Sequence, residues 1–224
     1  MGAWRLRHMM VGCQVEQSGF RGAIRRKLLL GVCGVMAVAG CGATQTNLLR
    51  TPGNTGAGVS AVAGQTVDFT LQPRNDSATA MTLSSLRLWA VPGIPAPHLV
   101  AYAVMPARYA IENATGWPPP AGSGPGPGGS WPVAKLSGYV VAPHSSVSIV
   151  IGVYGERVGT VYAVAGVIVG YTSAGVRGES HVGMPAVVCA DTRAQARQDS
   201  CESKHDWTVA DMARQEMIKV VGGS

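Results

Sequence analysis

Few residues of this chain are of a type and spacing to do chemistry, and the most telling is a thiol. Cys41 follows Val38-Ala39-Gly40 at the end of the apolar run 28–40, and the chain beyond it, Gly42-Ala43-Thr44-Gln45-Thr46, turns small and polar at once. Cys41 thus stands where an apolar run gives way to a polar chain. Upstream, Arg25-Arg26-Lys27 supplies a basic start. A basic start, about a dozen apolar residues and a small-residue exit make an export signal. The run falls short of the roughly 20 residues that a membrane-spanning helix needs.

Val38-Ala39-Gly40-Cys41 resembles the lipobox of bacterial lipoproteins. The resemblance implies cleavage between Gly40 and Cys41 and a diacylglyceryl group on Cys41. It also implies a further acyl chain such as palmitate on the new amine, and residence on the extracytoplasmic side of the cell membrane. Each buried CH₂ contributes about 0.8 kcal/mol, and two or more chains hold a protein stably where one would not. Residues 1–40 are therefore expected to leave as a signal peptide. Residues 1–20 add nothing to it, so Met9 or Met10 offers a downstream start. Arg25-Arg26-Lys27-Leu28-Leu29 also has the form of a twin-arginine export signal, which leaves the export route open.

The remaining chemistry is sparse. Of five cysteines, Cys13 and Cys33 belong to the leader and Cys41 to the anchor, leaving Cys189 and Cys201. Disulfides persist in exported proteins, so these two are expected to pair, with a gain of about 3 kcal/mol in the chain-entropy account. A thiolate metal site would need further ligands, and only His205 is near. The sequence has no Gly-x-Ser-x-Gly elbow, no His-Glu-x-x-His and no phosphate-binding loop. Its acidic residues are scattered singly, and His98, His144, His181 and His205 have no ligand spacing. No catalytic residue, metal or cofactor is therefore assigned. The net charge of +6 suggests nucleic acid, but residues 1–40 hold six of the 18 basic residues and one of the 12 acidic ones. The 184 residues after them carry 12 basic and 11 acidic side chains, a net of +1. No basic stripe remains for phosphate contacts, so nucleic acid is excluded.

The elements that must position these residues read as mainly β. Residues 41–59, rich in Gly, Thr and Asn, are expected to form a flexible tether behind the lipidated Cys41. From there the period is two. Val67, Phe69 and Leu71 alternate with Thr66, Asp68 and Thr70, which reads as a half-buried strand. Further strands are expected at 82–91, 99–105, 136–141, 147–154, 161–171 and 176–182, with turns at 73–77, 143–146, 155–157 and 172–175. Short strands with no intervening helical period favour an antiparallel sandwich over 60–189. The segments VDFTLQPRNDSATAMTLSSLRL and LSGYVVAPHSSVSIVIGVYG resemble the immunoglobulin-like accessory domains of secreted bacterial proteins, without the cysteine pair and tryptophan of antibody domains. The abundance of Ala, Gly and Val, and of arginine over lysine, hints at an actinobacterial source.

Two segments break this pattern. Residues 115–132, TGWPPPAGSGPGPGGSWP, exclude a central strand and form a long loop. In that loop Trp117 and Trp131 serve either as binding anchors or as pins that fix its ends to the sandwich. In the C-terminal segment 190–224, Thr208-Val209-Ala210-Asp211 resembles a capping box. Val209, Met212, Ala213, Met217 and Val220 then share one face of a short amphipathic helix. The reading that results is a membrane-anchored, non-enzymatic binding or scaffolding module of the cell envelope, with another envelope protein or a glycan as partner. Its alternatives are an enzyme with a site assembled from distant residues, and a copper-handling lipoprotein drawing on His98 with Met105 or Met81.

Overall fold

In this computed structural model the described residues are 48–51, 57–110, 116–118, 124, 126–193 and 204–221. Alternating apolar side chains build the strands β1 (Leu49–Arg50), β2 (Ala57–Val62), β3 (Val67–Leu71), β4 (Arg74–Asn75), β5 (Met81–Ala90), β6 (His98–Pro106), β7 (Val140–Val141), β8 (Val147–Tyr154), β9 (Thr160–Ser173) and β10 (Val176–Asp191). Helix α1 (Lys204–Val221) follows. The fold is mainly β with one C-terminal helix.

The strands form a five-stranded sheet in the order β2-β10-β9-β5-β7, a three-stranded sheet in the order β3-β8-β6, and the short pair β1-β4. Alternation then decides what faces what. Val67, Phe69 and Leu71 of β3, with Ile149 and Ile151 of β8, share one buried cluster with Leu83 and Leu86 of β5, Val167 and Val169 of β9 and Val182 and Val188 of β10. That cluster is the core between the two larger sheets. On the other face of the five-stranded sheet, Trp89, Ala163, Ala165, Ile168 and Val187 receive Val209, Ala213 and Met217 of α1.

Gly166 lets β9 keep both faces supplied. Tyr162 and Val164 face the core before it, Val167, Val169 and Tyr171 after it, so the alternation slips by one residue there. Its φ is +151°, and a Cβ would lie 2.1 Å from the Val182 carbonyl oxygen. Only glycine fits a strand that passes so near its neighbour.

Several expectations need correction. The five-stranded sheet is mixed rather than antiparallel, because β2 runs parallel to β10 from Ala57↔Ala186 to Val62↔Asp191. The segment 41–59 is not all tether. Leu49 is buried, donates its backbone N–H to Ser180 Oγ and pairs with Asn75, and β2 begins at Ala57. The strand expected at 136–141 is reduced to Val140–Val141, since Gly138 turns the chain with φ +86°. The strand expected at 176–182 continues to Asp191. Thr208 does not cap α1, which begins four residues earlier at Lys204 and carries Asp206 in its first turn. Met212 leaves the buried face at 40% exposure, while Val209, Ala213 and Met217 stay on it.

Candidate functional site

The outer face of the three-stranded sheet carries the molecule's one ionisable side chain, among the described residues, whose carboxyl is both buried and without a partner. Asp68 points away from the core, between Val67 and Phe69. Its sequence pattern reads as solvent-facing, yet it is 0% exposed. Both carboxyl oxygens lack a hydrogen-bond partner. Burial pushes the Asp68 carboxyl up to about 7, because no donor or cation offsets the loss of water around the charged form.

The cover comes from the ends of the Gly/Pro-rich loop. Trp117 and Trp131, both half-buried, pack with Tyr109 against Met105 of β6 and Val150 of β8. Backbone and side-chain hydrogen bonds hold this cover in register. Gly116 N–H donates to the Thr66 carbonyl at 2.9 Å, beside Asp68. Ser148 Oγ donates to the Tyr109 carbonyl at 2.6 Å, and Gln72 Nε2 to the Ala107 carbonyl at 3.0 Å. The far end is tied by the reciprocal pair Val104–Ala134.

Gly152 of β8 is what lets the indole and the carboxyl meet. It is the register partner of Asp68. A Cβ at Gly152 would lie 2.9 Å from Trp117 Cε3 and 3.2 Å from both Asp68 Oδ1 and Thr66 Cγ2. The strand is bare at that point, and the aromatic edge and the acid close over its backbone. At the rim, His98 stacks on Tyr154 with ring centroids 4.9 Å apart, and His98 Nε2 lies 3.5 Å from Glu156 Oε2. Chemically this is a buried acid under an aromatic lid, suited to recognising a cation.

The structure thus joins Trp117 and Trp131 on one face and adds Asp68, which sequence reasoning missed. Asp68 gave one signal only, a lone carboxylate among β-branched and aromatic residues. The strand is not half-buried, because its outer side is covered too. The copper set is not assembled: His98 and Met105 stand near opposite ends of β6, and Met81 lies in the core between the sheets. No group of three potential metal ligands occurs among the described residues. Cys189 is 5% exposed beneath α1 and is in the disulfide-bonded state, while Cys201 lies outside the described residues. Gly40 and Cys41 also lie outside them. Among the described residues no helix is long and apolar enough to cross a membrane.

No family model matches the chain. No curated protein matches it either. Among solved structures, the VesB protease of Vibrio cholerae is similar over 64% of this chain, with 13% identity and a TM-score of 0.34. The chain spans about a third of that protein's length, 32%, and a likeness at this level carries no argument.

Proposed function

We propose that the chain is an exported lipoprotein, held to the extracytoplasmic face of the cell membrane by lipid on Cys41. In this reading its immunoglobulin-like β-sandwich works as a non-enzymatic binding or scaffolding module of the cell envelope, with another envelope protein or a glycan as partner. The anchor rests on the residues around Val38-Ala39-Gly40-Cys41. The sandwich reading is supported by two sheets that share one core, with the parallel β2–β10 pair as its departure from the immunoglobulin pattern. A Cys189–Cys201 bridge would tie the entry of α1 to β10, and the burial of Cys189 suits it.

One observation carries the binding role: two tryptophans packed over an outer sheet face beside the buried, unpartnered Asp68. Indoles offer large amphipathic contact area at low entropic cost, and loop ends held by backbone hydrogen bonds, as at Gly116 and Ala134, place them before binding. Val133, 45% exposed and two residues after Trp131, suits a photo-cross-linker. In native membranes it should give a defined adduct, and the pair Trp117→Ala with Trp131→Ala should remove that adduct while the far-UV spectrum is unchanged. An adduct that survives both substitutions would place the binding surface elsewhere.

A further inference from the structure

We infer that the ground beneath the Trp117 indole is a site for a guanidinium group, the side chain of an arginine, with Asp68 as its carboxylate and Trp117 as its stacking face. The inference rests on the binding-module reading and gives that module a ligand class.

Asp68 presents two oxygens, neither with a donor. A guanidinium offers two parallel N–H groups in a fixed fork that matches a carboxylate edge to edge, whereas an ammonium is a point donor. The planar cation also stacks on aromatic faces, tryptophan best of all. Both partners stand against Gly152, where the absent side chain leaves carboxyl and indole on one patch of backbone. Two arginines that follow β3 and β6 have partners of their own: Arg74 pairs with Asp76, and Arg108 lies 4.9 Å over the Tyr109 ring. In the structure the edge of the Trp117 ring closes directly over Gly152 beside the fully buried acid, so binding requires the ring to swing outward and turn its face to the ligand. In the empty site the acid retains its proton near neutrality, and in the bound site the ligand's charge replaces that proton. Binding therefore releases one proton at pH values below about 7.

The test is calorimetric titration of the full chain in detergent at pH 6, with three probes of one size: ethylguanidinium, ethylammonium and the neutral isostere N-ethylurea. Ethylguanidinium should bind at least tenfold more tightly than ethylammonium, and N-ethylurea should not bind. The heat should depend on the ionisation enthalpy of the buffer in proportion to the proton released. Asp68→Asn should weaken ethylguanidinium more than tenfold with an unchanged far-UV spectrum. A capped Gly-Arg-Gly peptide that binds more tightly than ethylguanidinium points to arginine in a polypeptide, and equal binding points to a free small molecule. The inference is overturned if ethylguanidinium binds no better than N-ethylurea, or equally well in Asp68→Asn. Should that variant fail to fold, ethylguanidinium binding that is unchanged in Gly152→Ala, whose Cβ would stand between the indole and the acid, overturns it as well. If ethylguanidinium fails while cross-linking at Val133 still depends on the two tryptophans, the ligand class falls and the binding module stands.

Discussion

Asp68 shows how one side chain can shape the energetics of a small sheet. An unfolded aspartate ionises near 3.8, whereas the folded protein keeps this proton to about 7. Between those values the native state binds more protons than the unfolded state. Its contribution to stability is therefore fully present below about pH 4 and is lost as pH rises to about 7. The whole effect is roughly 2–4 kcal/mol. Denaturant unfolding at pH 5, 6.5 and 8 should show stability falling across that range in the wild type and a flatter profile in Asp68→Asn. The variant should be the more stable of the two at pH 8; parallel profiles would show that Asp68 is solvated. The role of Asp68 was not legible in the sequence because period two reports the direction of a side chain and says nothing about what lies over it. Its cover comes from residues about 50 positions later, in a segment with no period at all. Gly166 makes a second residue-scale case. With φ +151° and a Cβ that would meet the Val182 carbonyl, Gly166→Ala should cost about 3 kcal/mol or more in thermal or denaturant unfolding.

At the scale of elements, periodicity located the strands well wherever one or both faces meet an apolar layer. The strand read at 147–154 is β8 residue for residue, since β-branched residues alternate across a face that is buried on both sides. It misled where a turn sits inside an apolar run, as at Gly138, and where the helix start was inferred from a local capping pattern. Leu136 is buried without being in a strand, so its apolar character reported burial and not pairing. Helix α1 gives a direct comparison of the helical face read from the sequence with the one observed. Met217 is 3% exposed and its Cγ and Sδ lie over Gly183, at 2.6 and 2.7 Å from where a Cβ would stand. Met217→Ala should cost about 2–4 kcal/mol. Met212→Ala, at 40% exposure, should stay within about 0.5 kcal/mol. Equal losses from the two would mean that α1 sits rotated from the face described. For the loop, replacing 118–130 with a short Gly/Ser linker should leave both sheets folded, since a change in loop length costs only about 0.6 kcal/mol per doubling. A molten near-UV spectrum from that replacement would make the loop part of the core.

At the scale of the whole molecule, residues 1–40, the proposed leader, carry most of the excess charge, and the 184 residues after them are nearly neutral. Residues 1–40 account for five of the six net positive charges, as the proposed export signal requires. The proposed anchor is legible because it is written in contiguous residues, a basic start, an apolar run, two small residues and a thiol. The proposed recognition site is not, because it would be assembled from β3, β8 and two ends of a loop. The disulfide read from Cys189 and Cys201 lies between these cases, since counting cysteines suggests the pair but gives no geometry; non-reduced protein should resist alkylation at both until a reductant is added. Everything proposed for the domain presumes that it is displayed outside the cell on a lipid. The most direct measurement is the mass of the N-terminal peptide of the protein extracted from its native membrane. The account predicts a peptide that begins at Cys41 and carries a diacylglyceryl group, in protein that partitions into the detergent phase, with Cys41→Ala either released or retaining its leader. A processed, soluble wild-type protein with an unmodified Cys41 would contradict it.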